Sequence, residues 1–413
     1  MSECNPYANA GLRPPRVLLA IESLDGGSGR HVVDLAEELA RRGRDVTVAY
    51  SPLRANASFV ERLESNPNIA TARFNMRRAV HPSDALALFE LWRIVKRLGP
   101  FDIVHGHSSK AGAAVRLLPA GRARKVYTPH AFRTMDPKVP GPLSAFYAAM
   151  ERGLAGLTDA IICGSLFERQ HAEELDVRPR TVRLIANGAL PPSDDRRAEL
   201  RAAAGLGEDD ICIGTVGRFA PQKNPDRLVA ALAKALAAEP RAKAVIVGGG
   251  AMRDHVHELI ETHGIADRVH VVENQPGEPW MRAFDLFVVS SDYEAMPYVY
   301  IEALFAGLPI VSTWVGGTDE TVENGENGFI VRVGEDEAFA EKIIEVTRDA
   351  ALRERFAAAS ARKSAGFHLS VMTDKVEALY ADLLQERADQ PAKSAGAGEE
   401  EAGSDDHDAR LKA

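Results

Sequence analysis

Apolar residues along this chain alternate between short branched runs and longer stretches with one greasy face. Arg16–Ile21 is a short, mostly branched apolar run, followed by Asp25-Gly26-Gly27-Ser28-Gly29. Beyond the glycines, Val32, Val33, Leu35, Ala36, Leu39 and Ala40 recur at helical spacing, with Gly43 as a stop. Strand, glycine loop and helix open an α/β unit with a parallel sheet. Further strands are predicted at Asp45–Tyr50, Asp102–His105, Lys125–Thr128, Ala160–Cys163 and Val182–Ile185. A second start comes at Ile211–Val216, again running into a glycine loop. An amphipathic helix at Leu228–Leu236 follows it, then strands at Ala244–Val247, Val269–Val272, Leu286–Val289 and Pro309–Thr313.

Pro191-Pro192-Ser193-Asp194-Asp195 is a polar, proline-rich link between the two series. The pattern therefore divides the chain into a first doubly wound domain (1–190) and a second (191–365), each with a cleft at the carboxyl ends of its strands. Residues 366–389 are expected to form a helix packing back toward the first domain. The first dozen residues read as a loose arm. The tail from 390 to 413, with Glu399-Glu400-Glu401, holds too little apolar surface to order and is expected to be disordered.

Composition narrows the class. The 413 residues are 45% hydrophobic and 26% charged, the balance of a globular chain of two domains. No apolar run approaches a membrane span. The start lacks the basic region and apolar core of a secretory signal, so a cytoplasmic location is the expectation. Cys4, Cys163 and Cys212 share no close spacing, so neither a disulfide framework nor a zinc site is expected. The net charge of -9 hides an asymmetry: residues 1–190 carry +7 and the remainder -16. Residues 53–138 alone carry +9, either a solvated basic face or a surface for an anionic partner.

The candidate chemistry lies at strand ends. Gly26, Gly27 and Gly29 stand where backbone N–H groups and a helix dipole favour an anion. They do not complete a dinucleotide fingerprint, because Val32 occupies the last glycine position. The second strand also ends in Tyr50-Ser51 without a ribose carboxylate, which disfavours a nicotinamide-dependent oxidoreductase. Gly217 shapes a loop carrying Arg218 and Lys223, cations placed to clamp a diphosphate and offset charge on a leaving one. Glu294 falls on a loop before Met296, Pro297, Tyr298 and Val299, whose backbone N–H groups open a helix suited to a phosphate. Glu302, further along that helix, is suited to a ribose diol. His130 follows a strand and a proline, a placement suited to the cleft, and Lys110 precedes a small-residue helix where an anion is expected. His105 and His107 offer two imidazoles with no third ligand evident, so no metal is expected.

Taken together, these stretches resemble glycosyltransferase family 4, retaining enzymes of the GT-B fold, over residues 16–385. The resemblance is carried by Gly217-Arg218…Lys223-Asn224, the Gly248 turn, Glu294-x7-Glu302, Gly307-x-Pro309, Gly316-Gly317…Glu320 and Asn187-Gly188. It implies two Rossmann-like domains facing a central cleft. It gives Arg218 and Lys223 the donor diphosphate, Glu302 the ribose, Glu294 and His130 the transferred sugar, and the Gly27 loop the diphosphate and acceptor. No metal or other cofactor is implied, because the nucleotide diphosphate-sugar is a substrate. Asp102–Gly112 and Tyr127–Phe132 look like bacterial enzymes that build surface polysaccharides on a polyprenyl-diphosphate lipid. The expected reaction moves a hexose or N-acetylhexosamine to a lipid-linked or soluble saccharide. A GT-B nucleotide-sugar 2-epimerase is the rival. The amphipathic stretch Leu86–Arg97 would allow peripheral contact with an anionic membrane at the inner face of the plasma membrane, and no nucleic acid is expected as partner. Ala131 and Ala295 stand where the family commonly has glycine.

Overall fold

The computed structural model describes residues 6–9, 11–192 and 196–389. The tail from 390 to 413 and linker residues 193–195 lie outside them. Among the described residues, thirteen strands form two sheets. The first holds β1 (Arg16–Ile21), β2 (Asp45–Tyr50), β3 (Ile69–Arg73), β4 (Ile103–His107), β5 (Arg124–Thr128), β6 (Ala160–Cys163) and β7 (Thr181–Leu184). The second holds β8 (Ile211–Arg218), β9 (Ala242–Gly249), β10 (Val269–Glu273), β11 (Leu286–Val289), β12 (Ile310–Thr313) and β13 (Gly328–Val331). Their orders are β3-β2-β1-β4-β5-β6-β7 and β10-β9-β8-β11-β12-β13. All pairings between neighbouring strands are parallel.

Helices cover both faces of these sheets, so the central strands are apolar throughout rather than alternating. Val17, Leu18, Leu19, Ala20 and Ile21 of β1 are all fully buried. Strand order reverses between β1 and β4 in one sheet and between β8 and β11 in the other. A doubly wound sheet opens a crevice at that point, because the loops on either side turn to opposite faces.

The chain crosses back near residue 368. Gly188 has no room for a Cβ, which would lie 2.8 Å from Met372 and 3.0 Å from the Leu369 backbone. The helix Leu369–Asp389 then buries Met372, Val376, Leu379, Tyr380, Leu383 and Leu384 in the core under the first sheet. Each such side chain contributes roughly 1.5–3 kcal/mol of burial, so this last helix is part of the first domain's core.

One expectation is corrected at the N-terminus. Pro6–Asn9 is a helical turn, and Tyr7 is fully buried with Arg44 stacked on its ring at 4.9 Å. The segment is anchored by an aromatic that a reading of its prolines and asparagines as an arm overlooked. Among the described residues, no helix is long and apolar enough to cross a membrane.

Candidate functional site

The loops after β1, β4 and β5 meet those after β8, β11 and β12 across one cleft. On the second-sheet side, β8 ends at Arg218 and a single 3-10 turn, Pro221–Lys223, leads into Asn224. Asn224 sits at φ 47° and caps the helix Pro225–Ala238, its Oδ1 accepting from Arg227 N at 3.1 Å. That cap fixes where Lys223 leaves the backbone. Gly217 lets the lysine stem pass, since a Cβ there would lie 3.3 Å from Lys223 Cε. Arg218 is exposed and, among the described residues, has no ion-pair partner.

Lys223 Nζ donates to Glu294 Oε1 at 2.6 Å, leaving two of its three donors. Glu294 is buried and also accepts from Ser291 Oγ (2.9 Å) and Gln222 Nε2 (3.2 Å). Its loop lies tight on Gly316, where a Cβ would come within 2.4 Å of the Glu294 and Ala295 carbonyls. Pro297 ends the loop with extended backbone, and the helix Tyr298–Phe305 begins, aiming its first N–H groups outward. Glu302, on that helix, is buried and holds Arg30 of the first domain, whose guanidinium lies 4.5 Å over the Tyr298 ring. Gly27 is next to the same ring, with 3.7 Å between its would-be Cβ and Tyr298 Cδ2.

On the first-sheet side, three histidines converge. His107 Nδ1 and His130 Nε2 are 3.1 Å apart, and the His31 ring centroid is 4.7 Å from that of His130. Asn187 fixes one tautomer: its Nδ2 donates to the Met296 carbonyl at 2.7 Å, so its Oδ1 must accept from His31 Nδ1 at 3.0 Å. This leaves the His31 Nε2 lone pair free and ties the two domains together. Burial pushes the His31 pKa down to about 4 and those of His107 and His130 well below the usual value, so all three are neutral at pH 7. Their ligand atoms lie within 4.8 Å of one another, a set able to hold a metal ion. His107 is thus joined by two imidazoles that sequence spacing did not bring to it, those of His31 and His130. His105 is excluded from the set, with Tyr380 Oη at 2.7 Å on one ring nitrogen and Thr128 Oγ1 at 2.8 Å on the other.

Two expected anion contacts are corrected. Lys110 is not left free for a ligand anion: its Nζ is committed to the Arg77 and Ala79 carbonyls (2.8 Å each) and to the Asp84 carboxylate (2.7 Å). The helix start beside it already carries a carboxylate of the chain itself. Glu22 accepts from Ala111 N at 3.2 Å and from the Ser108 hydroxyl, so one N–H of that helix start is already taken by the protein itself. Gly29 is not a phosphate donor either. It lies inside the helix Gly26–Arg41, and its would-be Cβ is 2.6 Å from the Leu24 backbone, so its absence serves packing. Gly26 (φ 60°) and Gly27 begin that helix and remain exposed to the cleft.

Residues 25–189 match Glycosyltransferase Family 4, and residues 196–363 match Glycosyl transferases group 1. A D-inositol 3-phosphate glycosyltransferase of Stackebrandtia nassauensis is 30% identical over 322 residues, covering 72% of this chain and 71% of its own. The chain belongs to the family 4 glycosyltransferases. A second relative of this glycosyltransferase is the UDP-Gal:alpha-D-GlcNAc-diphosphoundecaprenol alpha-1,3-galactosyltransferase of Escherichia coli. It is 28% identical over 313 residues, covering 73% of this chain and 80% of its own. The crystal structure of Anabaena Alr3699/HepE with UDP and glucose superposes with a TM-score of 0.75 at 23% identity, over 90% of this chain and all of that one. The glycosyltransferase therefore has the GT-B fold, two parallel-sheet domains around a cleft.

Sequence reasoning did not single out Arg30, His31, Asn187 or Glu168. Asn187 was visible only as part of an Asn-Gly pair. Ser165-x-x-Glu168 has a capping-box spacing, the signal that could have pointed to Glu168 as a helix-start residue. Arg30 and His31 carried no signal, because only the fold brings their helix opposite Glu302 and His130.

Proposed function

We propose that this glycosyltransferase moves a hexose or N-acetylhexosamine from a nucleotide diphosphate-sugar, with retention at the anomeric carbon, to a polyprenyl-diphosphate-linked saccharide in bacterial polysaccharide biosynthesis. The observation that carries the reading is the pairing of Arg218 and Lys223 with the helix start at Tyr298, two sources of positive charge at the carboxyl edge of one sheet. In this reaction the bond from the anomeric carbon to the donor phosphate breaks as the acceptor hydroxyl oxygen bonds to that carbon. The hydroxyl proton passes to the departing phosphate on the same face. Arg218 and the two uncommitted donors of Lys223 offset the charge that gathers on the diphosphate. Glu302 accepts from the ribose hydroxyls, and Glu294 and His130 meet the sugar.

No metal takes part in this proposal, because cationic side chains supply the charge that an ion would offset. Excess EDTA is expected to leave turnover unchanged. The named activity of the E. coli relative supports the lipid-linked acceptor, and the UDP of the Anabaena structure supports a nucleoside diphosphate donor. The acceptor side also carries charge for a membrane: Arg77, Arg78, Arg93, Lys96 and Arg97 are exposed beside exposed Val80, Leu86 and Phe89.

The test is donor-dependent product formation by the full-length protein. UDP, GDP and ADP are first screened for a shift in melting temperature. Sugar nucleotides of the responding base are then offered with a polyprenyl-diphosphate saccharide, with inositol phosphate, and with no acceptor. Sugar transfer to the lipid with the anomer retained supports the reading. Transfer to inositol phosphate alone overturns the acceptor, and an epimerised free sugar without acceptor identifies the 2-epimerase.

A further inference from the structure

The loop after β5 does something unusual for residues with side chains. His130 (φ 53°) and Ala131 (φ 84°) both lie in the left-handed region, one after the other. A single non-glycine residue there is uncommon and a consecutive pair more so, because Cβ crowds the following carbonyl. A turn of this kind persists only where its surroundings hold it. Ala131 N–H donates to Glu168 Oε1 at 2.7 Å, and Glu168 Oε2 accepts from Gly164 N–H at 2.7 Å. Glu168 is itself 1% exposed. In an ordinary capping box the acid three residues into the helix reaches back to the cap residue. Here Ser165 Oγ caps Glu168 N at 3.2 Å, but the carboxylate reaches past the cap to Gly164 and sideways to the turn. Burying a carboxylate raises its proton affinity and is unfavourable, and helix capping at an exposed start does not require it.

We propose that Glu168 is a positioning residue for sugar transfer: its two carboxylate oxygens fasten the left-handed His130–Ala131 turn to the start of the helix Leu166–Glu174 and so hold the His130 ring against His31 and His107. The proposal rests on the reading above that His130 meets the transferred sugar. It also explains how Ala131 is tolerated where a glycine would adopt the turn without strain: the clamp supplies what the missing glycine would have given.

The test is a cycle of Glu168→Ala, Glu168→Gln, Ala131→Gly and the double variants, read by turnover, by KM for donor and by thermal unfolding. Glu168→Ala is expected to lower kcat about 10- to 100-fold, the scale for displacing a group by about an ångström, with donor KM changed less than threefold because the nucleotide is held by the other domain. Glu168→Gln keeps one acceptor and is expected to lose less, which covers the case where alanine does not fold. Ala131→Gly is expected to recover at least threefold of the lost kcat in either background and to raise the melting temperature more there than in the wild type. Equal turnover of wild type and Glu168→Ala overturns the proposal. So does Ala131→Gly stabilisation that is the same with and without Glu168. Were the wild type to transfer no sugar from any donor, the proposed function would fail, and the Glu168 role in transfer with it; the unfolding cycle would still show whether the clamp exists.

Discussion

The two walls of the cleft handle polarity in opposite ways. On the second-domain wall, half-buried Lys223 meets buried Glu294 and Arg218 stands exposed, an arrangement of charged side chains at an edge that water partly reaches. On the first-domain wall, His31, His107 and His130 are crowded and pushed to neutrality by burial. Charged groups at a partly wet edge can exchange partners when an anionic diphosphate arrives. Neutral imidazoles packed ring against ring and tied to Asn187 keep their orientation whatever is bound. A wall that answers to charge and one that holds shape are the two halves of a site that binds a diphosphate and orients a sugar.

The sharpest way to break this contrast is Lys223→Ala. It removes a preorganised cation and leaves buried Glu294 without its charge partner, and turnover with the donor is expected to fall about 10²–10³-fold. Wild-type turnover in this variant would show that the charged wall does not face the leaving group.

The neutral wall makes its own prediction, read by pH. His31 in the folded protein has its pKa lowered from 6.5 to about 4 by burial. Between these values the unfolded chain binds the proton and the folded one does not, so stability falls as pH drops through that window and is fully kept above 6.5. The loss reaches about 3 kcal/mol near pH 4, at 1.36 kcal/mol per pKa unit. Glu168 acts in the opposite sense, because burial raises its pKa to about 7 and folding is favoured as pH falls from 7 toward 4.5. Comparing His31→Gln with wild type cancels that contribution. The variant is expected to unfold with a shallower acid dependence between pH 6.5 and 4, by denaturant titration at each pH. Curves of equal slope would mean the His31 imidazole is already protonated in the fold.

Between the walls stands the Arg30–Glu302 pair. Glu302→Ala is expected to weaken donor binding about 10- to 100-fold, the range for losing hydrogen bonds to a charged group, with a smaller change in kcat because a ribose contact is similar in ground and transition states. Calorimetric titration with the donor checks this. Arg30→Met frees the same carboxylate, and donor affinity is expected to rise severalfold.

The alternation of strand and helix was readable because branched apolar runs and helical spacing are local signals. β1, β2, β6 and β11 begin and end where the pattern places them. β3 was not, since Ile-Ala-Thr-Ala-Arg at a sheet edge lacks a continuous apolar run. β13 was missed for a related reason, as its four residues begin with glycine. In the site, the loop carrying Arg218, Lys223 and Glu294 was legible because its glycines, prolines and charges are close in sequence. Lys110 and Gly29 misled for the same reason. Each has a plausible local setting, and only the tertiary fold brings Glu22 to the helix start and Leu24 against the glycine. Tyr7 shows the same limit, because a single aromatic among turn residues gives no hint of the Arg44 beneath it.

The smallest effect concerns the outer face of the first domain. On the helix Asp84–Leu98, Ala87, Leu91, Ile94 and Val95 are buried, so most of its apolar face belongs to the core. Leu86 and Phe89 are 66% and 53% exposed, and Phe89 stacks on Trp92 at 5.5 Å. Part of the +9 of residues 53–138 is also spent on buried or part-buried pairs within the protein, Lys110–Asp84, Arg116–Glu151 and Arg124–Asp159. Around this helix five exposed cations remain, at Arg77, Arg78, Arg93, Lys96 and Arg97. A cation near an anionic surface contributes about 1 kcal/mol, so these and two exposed apolar side chains suffice for reversible attachment. Replacing Leu86 and Phe89 by serine is expected to change folding stability by no more than about 0.5 kcal/mol, as surface substitutions do, and to leave transfer to a soluble acceptor intact. Flotation with vesicles containing phosphatidylglycerol is expected to drop several-fold for the variant. If wild type and variant float equally, the face is ordinary solvated surface and the acceptor must reach the cleft by another route.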